Sequence, residues 1–154
     1  MIVPERSVTL SRADRCGFWR GLTAPAALCA AARCHAESTL FFPLINFIVY
    51  PSDADSKPDC RSVMQSVKLG TDHASALVLN LNGVGAKGLE AHRQATTQCF
   101  DLGARAEPPF HVFPTAGNGY YAMLKPLPPG TYELNFGGVL STNVQAVTYT
   151  LIIE

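Results

Sequence analysis

Tyr120-Tyr-Ala-Met-Leu-Lys-Pro-Leu-Pro-Pro-Gly-Thr-Tyr-Glu-Leu-Asn-Phe136 is the stretch that decides the fold. Two apolar, aromatic-rich runs flank three prolines and a glycine, which cannot continue a strand because proline lacks the N–H that a ladder needs. In the second run Tyr132, Leu134 and Phe136 alternate with polar residues, and a period of two is typical of a half-buried strand. The stretch therefore predicts two strands joined by a proline-rich corner.

The last segment, 147–153, shows the same alternation and is rich in the β-branched and aromatic residues that favour strands. Gly137-Gly138 and the polar residues 141–143 lie between the two final strands and predict a hairpin with a loop longer than two residues. A closing pair entered through a Pro-Gly corner and a tyrosine is typical of immunoglobulin-like domains. We therefore predict an all-β fold, an immunoglobulin-like antiparallel two-sheet sandwich with one short helix.

Composition narrows the class of protein. The 154 residues carry 12 Lys plus Arg against 12 Asp plus Glu, and this neutral balance argues against nucleic acid or an anionic membrane as the main partner. No apolar run is long enough for a transmembrane segment. Phosphate-cradling and dinucleotide-binding motifs are missing from the sequence, so we expect no cofactor.

The N-terminal region differs from the rest. Residues 22–32 form a short apolar stretch after an arginine-bearing start, and small residues follow it, which resembles a secretory signal. We therefore assign 1–36 as a signal-like or irregular extension and 37–154 as a single sandwich domain. The localisation that follows is secreted or periplasmic. The alternative is a mis-assigned start that precedes the true domain.

Five cysteines bear on this assignment. Three of them lie in the signal-like part, which leaves Cys60 and Cys99 in the body. In an exported protein these two are a disulfide candidate. The alternative is that both are small buried hydrophobic residues that never pair.

Further elements follow from local patterns. The run 40–50 is apolar on both alternating faces, which predicts a strand covered on both sides, with Pro43 at an edge or a bulge. Ser56 or Asp59 is expected to cap a short helix that covers one end of the sandwich and stops at Gly70. Asn82-Gly83 predicts a tight hairpin turn.

The remaining segments give weaker signals. Residues 95–102 and 110–113 are candidate short strands, and 116–119 is a predicted turn.

Candidate sites for metals and catalysis are weak. Asp53, Asp55 and Asp59 suggest a calcium loop, but they lack the glycine and the terminal glutamate of an EF-hand, so a solvated loop is favoured. A cysteine nucleophile with His73 or His92 has no supporting motif. We assign no catalytic residues.

Four segments resemble a group of uncharacterised bacterial exported proteins. They are Ser38-Thr-Leu-Phe-Phe-Pro-Leu-Ile-Asn46, Leu81-Asn-Gly83, 118–138 and 147–151. The resemblance implies a secreted or periplasmic β-sandwich with no catalytic residues to carry over. Tyr132 departs from the group, since a histidine is common there, and residues 1–35 differ from the usual upstream region.

Binding is the favoured class of function. Tyr120 and Tyr121 are adjacent, so within a strand one faces the core and the other faces outward, where it is a ligand-binding candidate. The expected role is a non-catalytic binding or adhesion module for an unknown protein or glycan. The alternatives are a small secreted hydrolase with a loop-borne site, and a structural or assembly subunit that dimerises through an open sheet edge at 40–50.

Overall fold

Eight strands and one α-helix make up the computed structural model, which describes residues 28–51, 58–71, 74–140 and 143–154. The strands are β1 Leu28–Cys34, β2 Leu40–Val49, β3 Ala74–Leu81, β4 Val84–Gly85, β5 Arg93–Ala95, β6 Ala116–Leu124, β7 Gly130–Leu140 and β8 Asn143–Ile153. The helix, α1, is Cys60–Thr71, and a 3-10 turn spans Leu89–His92.

The strands form two sheets. One has five strands in the order β1-β8-β7-β3-β4, and the other has three in the order β2-β6-β5. Strand pairs are antiparallel apart from β1 with β8. In immunoglobulin lettering, β2, β6 and β5 take the places of strands B, E and D, while β8, β7 and β3 take those of G, F and C. The predicted all-β two-sheet sandwich with one helix is confirmed.

β1 corrects the predicted start of the domain at residue 37. The strand Leu28–Cys34 pairs with β8 from Leu28 opposite Val147 to Cys34 opposite Ile153, so the sandwich includes residues that were assigned to the signal-like segment. Cys34 is buried and disulfide-bonded. Residues 1–27, the rest of that segment, lie outside the described residues.

The core lies between the two sheets and is built from the inward side chains that the alternation predicts. Phe42 of β2 and Phe136 of β7 meet across the sandwich with ring centroids 4.6 Å apart. Leu134 and Leu151 are fully buried beside them. Burying a side chain of this size stabilises a protein by roughly 1.5–3 kcal/mol, so these contacts hold the two sheets together.

Two glycine-containing segments are strands, where the sequence predicted a loop and a turn. Gly137 and Gly138 belong to β7. These positions need glycine because other parts of the chain leave no room for a side chain: a Cβ on Gly137 would overlap the carbonyl oxygen of Gln145, and one on Gly138 would lie 2.8 Å from Ile45. Residues 116–119 likewise belong to β6. Glycine therefore marks close backbone approach here, one of its known uses within strands.

The other local predictions have mixed outcomes. The turn at Asn82-Gly83 is confirmed, with positive φ angles of 50° and 81°, and the side-chain oxygen of Asn82 accepts a hydrogen bond of 2.7 Å from the backbone N–H of Glu133. The weaker strand lies at Arg93–Ala95, not at 95–102, and 110–113 is not a strand.

A tyrosine corner closes the connection between β6 and β7. The hydroxyl of Tyr132 donates a hydrogen bond of 2.9 Å to the carbonyl of Pro128, four residues earlier. Immunoglobulin-like domains carry this feature at the corresponding corner. It ties the proline-rich segment to the strand that follows it.

Replacing Tyr132 with phenylalanine removes this hydrogen bond and leaves the ring in place. We expect the free energy of unfolding, measured by urea denaturation, to fall by about 0.5–1.5 kcal/mol. Tyr50→Phe is the matched control, because the Tyr50 hydroxyl has no hydrogen bond within the described residues. Equal losses in the two variants would contradict a stabilising corner.

Candidate functional site

The helix α1 covers one end of the sandwich. Asp59 caps it: the Asp59 carboxylate accepts hydrogen bonds of 2.7 and 2.6 Å from the backbone N–H and the hydroxyl of Ser62. These bonds hold the pKa of Asp59 below its usual value, the side-chain bond being the larger cause. Val63 and Val67 pack on Ala116 of β6. The predicted cap and the predicted position of the helix at one end are both confirmed.

A disulfide fixes the start of this helix. Cys60 and Cys99 are bonded, with their Cα atoms 5.8 Å apart and a sequence separation of 39. The predicted pair is thus confirmed. The bond joins α1 to the segment that follows β5, and it leaves neither sulfur as a free thiolate.

A cavity of about 340 Å³ lies between α1 and the small sheet. Met64, Val67 and Lys68 line it from the helix, and Arg93 and Asn118 line it from the strands. Asn118 is only 3% exposed, and its side-chain oxygen accepts a 3.1 Å hydrogen bond from Nε of Arg93. A buried amide oxygen needs such a partner, so this hydrogen bond holds β5 against β6 beside the helix.

Residues 100–115 form an ordered loop at the same end, next to the disulfide. One oxygen of Asp101 lies 2.6 Å from Nδ1 of His111, and the other accepts hydrogen bonds from the backbone N–H groups of Gly103 and Val112. The bond to His111, followed by the one to Val112, lowers the pKa of Asp101. The side chain of His111 is 89% exposed. Asp101 therefore organises the loop around a surface histidine.

The outer side of the three-stranded sheet is the most distinctive surface. It consists of residues that lie opposite one another in the strand register, on the side of the sheet away from the core. They are Phe41, Pro43, Asn46 and Ile48 on β2, Gln94 on β5, and Gly117, Gly119, Tyr121 and Met123 on β6. We call this set the outer face. None of its residues is charged.

A bulge in β2 decides which residues reach the outer face. The register shifts between Pro43 and Ile45, so that Leu44 is an extra residue. Leu44 and Ile45 are both buried. As a result, each β2 residue after the bulge faces the side of the sheet opposite to the one it would face in a regular strand. The side chain of Gln145 in β8 donates a hydrogen bond of 3.3 Å to the Pro43 carbonyl. The prediction that Pro43 lies at an edge or a bulge is confirmed on both counts.

The aromatic end of the outer face is solvent-exposed. The rings of Phe41 and Tyr121 are stacked, with centroids 5.5 Å apart and planes 6° apart. Phe41 is 55% exposed and Met123, directly opposite it, is 68% exposed. The expectation that the 40–50 strand is covered on both sides is therefore wrong for this part of β2.

The outer surface of the five-stranded sheet has a different character. There Thr148 donates a 2.6 Å hydrogen bond to Asn135, and Asn135 donates one of 2.8 Å to Glu133. Such a polar ladder is what a solvated sheet surface normally carries. The outer side of the five-stranded sheet thus carries polar and charged groups beside the exposed Val78 and Val144, whereas the outer face of the small sheet is uncharged.

The predicted site residues divide between core and surface. Tyr120 is 7% exposed and packs in the core, so it is not accessible to a ligand, whereas Tyr121 faces outward. Asp59 is used as the helix cap, and Asp53 and Asp55 lie outside the described residues, as does His73. Within the described ranges, no group of three or more His, Cys, Asp or Glu side chains is placed to hold a metal ion.

Sequence reasoning missed Phe41 and Met123, which complete the aromatic end. The signal for them was the strand pairing itself: once the two strands are aligned antiparallel, Phe41 lies opposite Met123. It also missed Asp101 and His111, because two residues ten positions apart in an irregular loop leave no periodic signal.

Comparison with protein-family models, with curated proteins and with solved structures finds no match to this chain. In the part of the chain that is described, no helix has the length and apolar character needed to cross a membrane.

The lowered pKa of Asp101 predicts a pH-dependent contribution to stability. Because the folded-state pKa lies below the unfolded value of about 3.9, the contribution is present above that value and is lost as pH falls through the folded pKa. We expect wild type to have a higher melting temperature than Asp101→Asn at pH 6, with the difference shrinking below about pH 4. His111→Gln should show a smaller pH dependence than wild type. A difference between wild type and Asp101→Asn that stays constant down to pH 2 would contradict this role.

Proposed function

We propose that this chain is an exported, non-catalytic immunoglobulin-like binding module that contacts a protein partner through its outer face. The observation that carries the proposal is the stacked Phe41–Tyr121 pair beside Met123 on a surface without charged residues. Soluble proteins rarely expose contiguous apolar groups of this kind unless they bind something.

The residue types favour a protein over a glycan. The centres of protein interfaces are enriched in Tyr, Phe and Met and depleted in charged residues, which matches the composition of the outer face. Sites for small molecules are usually concave, with a few convergent polar groups. The outer face is a sheet surface, and its amide side chains, Asn46 and Gln94, are its main hydrogen-bonding groups.

Two observations support export. Cys60 is bonded to Cys99, and Cys34 is also disulfide-bonded, and disulfides persist mainly in oxidising compartments outside the cytosol. The resemblance of the 38–46 and 118–138 segments to bacterial exported proteins points the same way. The pairing of Cys60 with Cys99 also supports a non-catalytic role, since it removes the candidate nucleophiles.

The test compares capture of proteins from an envelope extract of the native host by three immobilised forms of the full chain. The first is wild type and the second is the Phe41→Ser, Tyr121→Ser double variant. The third is Val78→Ser, a matched control because Val78 is an apolar side chain that is 53% exposed on the outer side of the other sheet. Bound proteins are cross-linked and quantified by mass spectrometry.

We expect at least one protein to be captured in equal amounts by wild type and by Val78→Ser. The amount captured by the Phe41→Ser, Tyr121→Ser variant should be lower by about tenfold or more, because removing a central aromatic residue typically costs about 2 kcal/mol or more of binding free energy. Recovery of the same proteins in the same amounts by all three forms would refute the outer face as the contact surface. A glycan that binds wild type but not the double variant would replace the protein partner.

A further inference from the structure

The outer face has two ends of opposite shape. At one end Phe41, Tyr121 and Met123 project from the sheet, and we call them the ridge. At the other end Gly117 and Gly119 have no side chains, and we call this strip of β6 the trough. Ridge and trough adjoin along β6: Gly119 and Tyr121 are two positions, about 7 Å, apart, and the outermost pair, Gly117 and Met123, is six positions, about 20 Å, apart.

The two glycines differ in why they are there. At Gly119 a Cβ would lie 2.6 Å from the Cα of Asn46, so the close approach of β2 requires glycine. At Gly117 a Cβ would make only ordinary contacts, the nearest at 3.8 Å with Ile48. Packing among the described residues therefore accounts for Gly119 and gives no reason for glycine at position 117, although a glycine in a strand interior is unfavourable.

A two-fold axis that lies in the plane of contact and runs across the strands would bring ridge and trough together. It reverses strand direction but keeps β6 over β6 and β2 over β2, so Tyr121 and Met123 of one copy lie over the trough of the other, twice, while Phe41 lies over Ile48. Such an interface uses the same patch on both copies. Residues close to the axis lie next to the same residues of the other copy, so a charged residue there would face a like charge. The outer face has no charged residues, so this repulsion does not arise.

We propose that the partner of the outer face is a second copy of this chain, packed face to face with ridge against trough. The inference rests on the proposed function, since it uses the same surface, and it names the partner. It differs from dimerisation through the open edge of β2, which would pair backbones and leave the outer face free.

The size of the face sets the strength of this dimer. Ten residues of β2 and three strands span roughly 33 Å by 14 Å, or at most about 460 Å² per copy because β5 has only three residues, against about 800 Å² per partner in a stable complex. The dimer should therefore be weak and depend on concentration, forming between about 10 µM and 1 mM.

Sedimentation velocity of the full, oxidised chain across that concentration range tests the proposal with designed charges. Gly117→Glu places a carboxylate in the trough, opposite the ridge of the other copy, and should weaken association about 100-fold or more because a charge is then buried without a partner. The double variant Gly117→Glu, Met123→Lys places opposite charges against each other at both contacts and should restore association. Val78→Glu, on the other sheet, is the control and should behave as wild type.

The outcomes are distinct. Association that is lost in Gly117→Glu and regained in the double variant, with all forms keeping the wild-type circular dichroism spectrum, supports the dimer. A wild-type chain that stays monomeric at 1 mM, or a Gly117→Glu chain that associates like wild type, overturns it. In either of those cases the proposed function still stands if the Phe41→Ser, Tyr121→Ser variant loses capture of another protein, and it fails separately if capture is unchanged.

Discussion

The bulge between Pro43 and Ile45 is the constraint on which the rest of the molecule depends. Side chains alternate with a period of two along a strand, so one extra residue exchanges the inner and outer sets from that point on. Because of it, Ile45 and Phe47 pack inward with the core while Asn46 and Ile48 point outward. β2 thereby supplies core side chains on both sides of the bulge, while Phe41, which precedes the bulge, lies on the surface.

The same strand connects the core to the helix-covered end. Phe47 packs both against the core between the sheets and against the cluster around Val63 and Val67 of α1. The inner side of the small sheet is thus shared between the large sheet and the helix, and the disulfide from Cys60 holds the helix in place. With its inner side covered, the small sheet has its uncharged outer face as the surface on which we place the proposed contact.

Much of the fold could be predicted from local chemistry. The alternation around Leu134, the Asn82-Gly83 turn and the cap at Asp59 each depend on neighbouring residues, which a sequence displays directly. What could not be predicted depends on other parts of the chain. Gly137 and Gly138 predicted a loop from the sequence, and only the structure shows that Gln145 and Ile45 pack against these strand positions. The outer face was found in part, through Tyr121, because its other members become neighbours only once β2 and β6 are aligned with the bulge in place.

The register of β2 against β6 is the most direct test of this account. Nuclear Overhauser contacts between the backbones of the two strands, measured on the oxidised protein in solution, identify the residue opposite Tyr120. We expect it to be Ile45, with Asn46 opposite Gly119 and with contacts between the rings of Phe41 and Tyr121. Leu44 opposite Tyr120 and Ile45 opposite Gly119 would show a strand without the bulge, and the assignment of Asn46 and Ile48 to the outer face would then be wrong.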